Sequence, residues 1–219
     1  MLFRSIASGV APLLDKKGPL TEDKKQKTAI FYSISNCQPG LRGVSLGNFL
    51  IKRVADRLLQ EVPGIKTFST LSPIPGFSNW LDQGAPLDPA QVSPSRIKKA
   101  ADALATLRLD RAKWADKLRS GWHPADAIDA EREALMRLCA LYLMYHTTHR
   151  GGDSVGKFHL TNGATLYRIN WGADMSKKGI QQSAGIMVNY LYELDKVETQ
   201  HEAFMKRVVV YARGVEKWA

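Results

Sequence analysis

Cysteine is scarce in this chain, and long apolar runs are missing. The 219 residues include two cysteines, Cys37 and Cys139, whose spacing fits no metal site. This usage favours free thiols in a reducing compartment over a disulfide framework. Because no run approaches the roughly 18 apolar residues that a membrane helix needs, the sequence predicts no membrane span. We expect a cytoplasmic protein, and an organellar address stays open.

Acidic residues are fewer than basic ones. The chain has 31 Lys and Arg against 21 Asp and Glu, so its net charge is +10 and its pI is about 9.6. Such a balance indicates an anionic partner. The basic residues are scattered and no aromatic platform for single strands is evident, so a small polyanion fits as well as a nucleic acid does.

The first half of the chain predicts a β-α-β unit. At 44% hydrophobic and 24% charged residues, the composition is that of one ordinary globular domain. Residues 29–34 predict a buried strand, the apolar spacing from Ser45 to Leu58 predicts a helix, and residues 65–71 predict a second strand. A connection of this kind makes the two strands parallel and adjacent.

A turn-rich loop with two glycines, residues 38–43, separates the first strand from the helix. Unpaired N–H groups at a helix start, the helix dipole and glycine's small size together suit a phosphate. An alternative stays open on spacing alone, in which Gly40, Gly43 and Gly47 only build a turn and tight packing.

The stretch FSTLSPIPGF, residues 68–77, organises the rest of the chain. Its strand runs into Ser72 and is stopped by Pro73 and Pro75, which fix φ and remove two backbone donors. Ser72 is therefore held on a stiff turn at a strand end, where α/β folds place their chemistry. The alternative is an ordinary turn.

The remaining segments are predicted from periodicity and turn residues. RGGDSVGK, residues 150–157, lacks the Ser/Thr of a P-loop because Phe158 follows Lys157, so we expect no nucleoside triphosphate. Gly163 is placed as the residue after a helix end. The other predictions are helices at 95–118 and 125–146, strands at 166–171 and 184–194, loops at 80–94, 150–157 and 174–183, and a helical tail at 198–219.

Three segments together resemble the catalytic domain of the malonyl-CoA decarboxylase family. They are FYSISNCQPGLRGVSLGNFLIKRV, FSTLSPIPGF and FHLTNGATLYRINWGAD, and the resemblance runs over about residues 28–197. It implies an α/β fold, a GNAT-like mixed sheet with flanking helices, whose early strands and preceding helical domain are missing. Residues 1–27 are then an N-terminal helix or loop remnant, and residues 28–219 are the catalytic domain.

The resemblance also implies an activity and its participants. Malonyl-CoA would be converted to acetyl-CoA and CO2, with no metal and no separate cofactor because coenzyme A is part of the substrate. It implies no nucleic-acid or membrane partner, and a homo-oligomer in the full-length family. Two rivals stay open, a coenzyme A-dependent acyltransferase of the GNAT fold and an inactive coenzyme A-binding fragment.

The same resemblance assigns site residues. It implies Ser72 and His159 as the catalytic pair, the histidine standing where GNAT enzymes carry a proton-donating tyrosine. Tyr190, Asn170 and Asp174 are pocket residues by resemblance and ordinary polar groups otherwise. The segment that would bind coenzyme A, in which Ser45 replaces a motif glycine, comprises Arg42, Gly43, Val44, Ser45, Leu46, Gly47 and Asn48, with Tyr190 added from the second half of the chain.

Decarboxylation explains the choice of residue types. Loss of CO2 leaves a thioester enolate that must be stabilised and then protonated at carbon. A histidine near its ordinary pKa of about 6.5 supplies a proton at neutral pH. Because no acyl group is transferred, we expect Ser72 to be a hydrogen-bonding partner and not a covalent nucleophile.

Overall fold

A single mixed sheet forms the centre of the fold. The protein is represented by a computed structural model, which describes residues 2–3, 5–14, 26–32 and 47–219. Its strands are β1 (Leu2–Phe3), β2 (Thr28–Phe31), β3 (Thr67–Thr70), β4 (Thr165–Asn170) and β5 (Met187–Tyr192). Their spatial order is β1-β2-β3-β5-β4, with β2 and β3 parallel and the other neighbours antiparallel. This sheet confirms the predicted α/β class, and the GNAT-like label stays a prediction.

The helices differ in how deeply they are buried. The helix Asp129–Met144 contributes a run of buried residues from Leu138 to Met144, so it forms the middle of the hydrophobic core. The helices are α1 (Ala11–Leu14), α2 (Gly47–Glu61), α3 (Phe77–Asp82), α4 (Pro94–Thr106), α5 (Trp114–Arg119), α6 (Asp129–Met144), α7 (Ser154–Thr161), α8 (Lys177–Ser183), α9 (Val197–Met205) and α10 (Arg213–Glu216), with a 3₁₀ turn at His146–Thr148.

The predicted β-α-β unit is confirmed. Strand β2 runs parallel to β3, with Phe31 paired to Thr70, and α2 connects them. Helix α2 buries Ile51 and Ala55 against the core, whereas Val54, which the predicted apolar stripe contained, is 37% exposed. Since parallel strands place their carboxyl ends at one edge, the chain leaves β2 beside the point where it reaches Ser72.

Two predicted loops contain helices. Within residues 150–157, Asp153 caps α7 by accepting a hydrogen bond from the Gly156 N–H. Within residues 174–183, Ser176 caps α8 through the Gly179 N–H. Both are side-chain caps of the ordinary Asp or Ser type. The loop predictions were wrong there because the glycine and charged residues of these segments were given more weight than their capping residues.

Two further predictions need correction, one of a loop and one of a helix. The segment 80–94 was predicted to be a loop, but α3 covers its start and buries Trp80 and Leu81. The helix predicted over 95–118 is interrupted, because Arg108 takes a left-handed φ of 60°. Leu109 N–H bonds back to the Leu104 carbonyl and closes α4, and α5 then begins at the buried Trp114. In both segments the chain changes direction and so buries its apolar side chains. Helical periodicity in the sequence does not reveal such a change.

The tail is only partly helical. Helix α9 is closed at Arg207, whose φ is 62°, and the next residues are extended beside β4. Leu166 N–H donates to the Val210 carbonyl over 2.9 Å, and Ala212 N–H donates to the Leu166 carbonyl over 2.9 Å. The predicted continuous helix was wrong because this segment covers the edge of β4, whose backbone groups need partners.

Candidate active site

Ser72 lies at the end of β3, as predicted. Its N–H donates to the Val188 carbonyl over 2.8 Å, and the Val188 N–H donates to the Ser72 carbonyl over 2.9 Å. Pro73 follows directly, so the strand cannot continue. The side chain is held in the interior, since Ser72 is only 4% exposed.

His159 lies in the last turn of α7 and is equally buried, at 4% exposure. Gly163 ends this helix with a φ of 71°. Its N–H bonds to the Leu160 carbonyl, and the Ala164 N–H bonds to the His159 carbonyl. These two bonds form a Schellman motif, which confirms the predicted place of Gly163 after the helix end. The histidine backbone is thereby fixed where the helix stops.

Ser72 and His159 are in direct contact. Ser72 Oγ is 3.0 Å from His159 Nε2, although 87 residues separate them in sequence. On the other side of the ring, Nδ1 is 2.9 Å from the Tyr192 hydroxyl. Ser72 Oγ is also 2.9 Å from Thr70 Oγ1, to which it donates. The four side chains form a continuous hydrogen-bonded chain.

The donors and acceptors along this chain are mutually consistent. When the single Ser72 hydroxyl proton goes to Thr70, Ser72 Oγ can accept a bond from the His159 Nε2–H. Nδ1 then accepts from the Tyr192 hydroxyl. A neutral imidazole has one donor and one acceptor nitrogen, so the arrangement satisfies both.

Burial determines the protonation state of the ring. It lowers the pKa of His159 to about 3 because the imidazolium would lose its hydration. The expectation of an ordinary histidine pKa is therefore wrong for the ring in these surroundings. At neutral pH the ring is uncharged, so any proton that it gives away must first be recruited.

This lowered pKa makes stability depend on pH. Between about 6.5, the ordinary value, and about 3, the unfolded chain binds a proton that the folded chain does not. The free energy of unfolding should thus fall on acidification through this window, by up to about 1.4 kcal/mol per pH unit from this group. Urea unfolding at several pH values gives the free energy of unfolding of the parent and of a His159→Gln variant. The contributions of other buried groups are common to both proteins, so the difference between the two slopes against pH reports His159. Equal slopes would contradict the lowered pKa.

Tyr190 is in the site but not through its hydroxyl. Its ring stacks on the His159 ring at a centroid distance of 4.6 Å and an angle of 27°. The hydroxyl is buried without a hydrogen-bond partner among the described residues, and burial raises its pKa. The residue therefore restrains the imidazole plane by packing.

Asn170 is joined to the hydrogen-bond network through Asn189, whereas Asp174 bonds within its own loop. Asn170 Nδ2 donates to Asn189 Oδ1 over 2.9 Å, and Asn189 Nδ2 donates to the Thr70 carbonyl over 2.6 Å. Asp174 Oδ1 accepts from the Ser176 N–H over 3.0 Å. Neither residue is brought onto the Ser72–His159 pair by these contacts, and their pocket role stays a prediction.

The predicted coenzyme A segment falls mostly outside the described residues. Arg42, Gly43, Val44, Ser45 and Leu46 belong to the undescribed part, and Gly47 and Asn48 begin α2. Their binding role stays a prediction. No helix in the described ranges has the length and apolar content to cross a membrane.

Sequence reasoning missed three residues of the site, Thr70, Tyr192 and Asp153. Thr70 lies two positions before Ser72, and Tyr192 lies two positions after Tyr190. Because alternate residues of a strand share a face, both positions follow from the ones that were found. Asp153 precedes the helix that carries His159, and an Asp there is a helix-start signal.

Fold and site together define an α/β domain whose candidate active centre is a buried serine–histidine pair at a strand end. The family profile described as malonyl-CoA decarboxylase C-terminal domain matches residues 1–218. The chain belongs to the malonyl-CoA decarboxylase family.

Individual relatives agree with this assignment. The chain is 39% identical over 214 residues to a malonyl-CoA decarboxylase, named mitochondrial, of Anser anser anser, covering 93% of the chain and 42% of that protein. The relative of the same name from Rattus norvegicus is 41% identical over 207 residues, covering 89% of the chain and 42% of that protein. The chain thus spans about 42% of the length of these curated relatives.

Solved structures show the same fold. The crystal structure of malonyl-CoA decarboxylase from Rhodopseudomonas palustris matches with a TM-score of 0.76 and 40% identity, over 99% of this chain and 48% of that one. The crystal structure of the enzyme of that name from Cupriavidus metallidurans matches with a TM-score of 0.77 and 38% identity, over 100% of this chain and 53% of that one.

Proposed function

We propose that this chain converts malonyl-CoA to acetyl-CoA and CO2. The observation that carries the proposal is the 3.0 Å contact between Ser72 Oγ and His159 Nε2 inside a fold of the malonyl-CoA decarboxylase family. The substrate is taken from the names of the relatives. The pair supplies a hydrogen-bond donor and a proton carrier, which are the groups this reaction requires.

Ser72 orients the substrate in this proposal. The malonyl carboxylate accepts a hydrogen bond from Ser72 Oγ, so its carbon–carbon bond is held in a fixed direction. When that bond breaks, its electron pair moves toward the thioester carbonyl and CO2 leaves. Ser72 stays unacylated, since the thioester is not cleaved.

His159 supplies the proton that the reaction consumes. An arriving carboxylate raises the pKa of a nearby imidazole, because opposite charge favours the cation and offsets the effect of burial. The ring thus becomes protonated as substrate binds. The enolate carbon takes the Ser72 hydroxyl proton, Ser72 Oγ takes the Nε2 proton of His159, and the ring is neutral again with one acetyl-CoA formed.

Coenzyme A would be bound at the same edge of the sheet. Strand β2 ends at Phe31 beside Thr70, and Ser72 lies two residues beyond Thr70. The chain therefore leaves β2 at the edge of the sheet that carries the pair. We place the phosphates on Arg42, Gly43 and the start of α2, because loop N–H groups and an arginine suit a pyrophosphate.

The proposal includes the participants and the setting. Residues 28–219 are the catalytic domain in this proposal, and Leu2–Phe3 of the preceding residues 1–27 add β1 to its sheet. The chain needs no metal and no cofactor beyond the coenzyme A of its substrate, and it binds neither nucleic acid nor membrane. We propose a homo-oligomer, as expected for the full-length family, in the cytoplasm or in an organelle.

A product assay tests the function. The purified chain is incubated with malonyl-CoA alone, and acetyl-CoA, CO2 and free coenzyme A thiol are quantified together. A decarboxylase forms acetyl-CoA and CO2 in equal amounts and releases no thiol. Thiol release from acetyl-CoA with an added amine would instead indicate an acyltransferase, and coenzyme A binding without any product would indicate an inactive fragment.

A further inference from the structure

Asp153 is a buried carboxylate outside the hydrogen-bonded chain of the proposed centre. It is 1% exposed, and its two oxygens have different partners. Oδ1 accepts from the Gly156 N–H over 2.8 Å, and Oδ2 accepts from the Gly76 N–H over 3.1 Å. Among the described residues, no basic side chain forms an ion pair with it. Its two shortest hydrogen bonds are therefore to the backbone amides of Gly156 and Gly76.

These two amides belong to the two elements that carry Ser72 and His159. Gly76 ends the turn that follows Ser72, and α3 begins directly after it. Gly156 is in the first turn of α7, and His159 lies three residues farther along that helix. A single carboxylate thus joins segments that are 77 residues apart in sequence.

We propose that Asp153 is the positioning residue that sets the distance between Ser72 and His159. The inference rests on the proposed function for its catalytic consequence. Each oxygen of the carboxylate holds one element, so the rigid carboxyl group fixes the Ser72 turn relative to the start of α7. Because a misplacement of 1 Å can cost about 10²-fold in rate, such a link is valuable even without contact to the substrate.

The surroundings leave little room for another arrangement. Tyr142 donates to Asp153 Oδ2 over 3.5 Å, and its ring is buried in the core. A Cβ on Gly76 would lie 2.2 Å from the Tyr142 hydroxyl oxygen, and a Cβ on Gly156 would lie 3.0 Å from the Tyr190 hydroxyl oxygen. Both amides reach the carboxylate because these positions are glycine.

The test is an Asp153→Ser variant. Serine keeps a good helix cap for α7, because its hydroxyl can accept from the Gly156 N–H, but it is too short to reach Gly76 as well. We expect kcat for decarboxylation to fall about tenfold or more while KM stays within about twofold, since positioning acts on the reacting groups. The matched control is Asp82→Ala, which removes a carboxylate that links α3 to α5 through the Ala115 N–H over 3.0 Å.

Asp153→Asn is the second variant, in case the serine variant does not fold. In asparagine an NH2 group replaces one carboxylate oxygen, so either the Gly76 N–H or the Gly156 N–H faces a donor and loses its acceptor. We expect a fall in kcat in the same direction. Parent-like kcat in either folded variant, or an equal fall in Asp82→Ala, would overturn the positioning role.

A crystal structure of the variant separates this inference from the proposed function. We expect the distance from Ser72 Oγ to His159 Nε2 to lengthen beyond hydrogen-bonding range when the link to Gly76 is lost. If the parent makes no acetyl-CoA, the proposed function fails and this distance alone decides about Asp153. A distance that stays near 3.0 Å in the variant would overturn the inference, whatever the activity.

Discussion

A His159→Ala variant should lose most decarboxylation, with kcat falling about 10² to 10⁴-fold. Among the described residues, the ring is the only group bonded to Ser72 Oγ that can take up and give back a proton once a bound carboxylate has raised its pKa, since Thr70 is a hydroxyl. Burial raises the pKa of Tyr192, so the phenol on the far side of the ring does not replace the imidazole as an acid. The enolate would then depend on slower protonation by water.

Binding should survive the same substitution, because in the proposal Arg42, Gly43 and the start of α2 hold the phosphates and the ring does not. Acetyl-CoA affinity is measured by calorimetry on the parent and on His159→Ala. The matched control is His123→Ala, which removes an imidazole whose described contact is only to the Ala125 N–H. Parent-like turnover in His159→Ala would remove the histidine from the chemistry.

Gly163→Ala should destabilise the fold by about 2 to 6 kcal/mol. The glycine has a φ of 71°, and a Cβ there would lie 2.0 Å from the Val197 carbonyl oxygen. A left-handed conformation costs a non-glycine residue about 1–3 kcal/mol, and forcing extra atoms into a packed site costs about as much again. Since Gly163 closes the helix that carries His159, catalysis should fall with it.

Gly84→Ala separates the cost of the left-handed conformation from the cost of steric overlap. Gly84 has a φ of 82°, but no atom of the described residues lies within 4 Å of the position that a Cβ would take there. Only the conformational cost applies, so we expect about 1 kcal/mol, near the low end for a left-handed residue. Urea unfolding of both variants gives the free energies. Equal losses would show that the Val197 carbonyl moves aside without cost.

Local patterns were sufficient for the end of β3 and the end of α7. Ser72 was placed at a strand end because two prolines follow it within three residues, and a chain without donors cannot extend a sheet. Gly163 was placed after a helix end because few other residues take a left-handed conformation there. These signals depend on backbone chemistry within a few residues, so they survive without knowledge of the fold.

Features set by distant contacts could not be predicted in this way. The low pKa of His159 comes from burial under several elements, and periodicity does not report the burial of one ring. Tyr192 meets Nδ1 because β5 pairs with β3 in a register that places Tyr192 opposite Phe68. The tail was misassigned because its extended part is stabilised by β4, which lies far earlier in the chain.

A double-mutant cycle on Ser72 and His159 tests whether the pair acts as one catalytic unit. Acetyl-CoA formation from malonyl-CoA is measured for the parent, Ser72→Ala, His159→Ala and the double variant. Residues that act together are strongly non-additive, so we expect the double variant to be about as slow as the His159→Ala variant. If the two losses multiplied, or if neither substitution changed kcat, the 3.0 Å contact between Ser72 Oγ and His159 Nε2 would not be the catalytic centre.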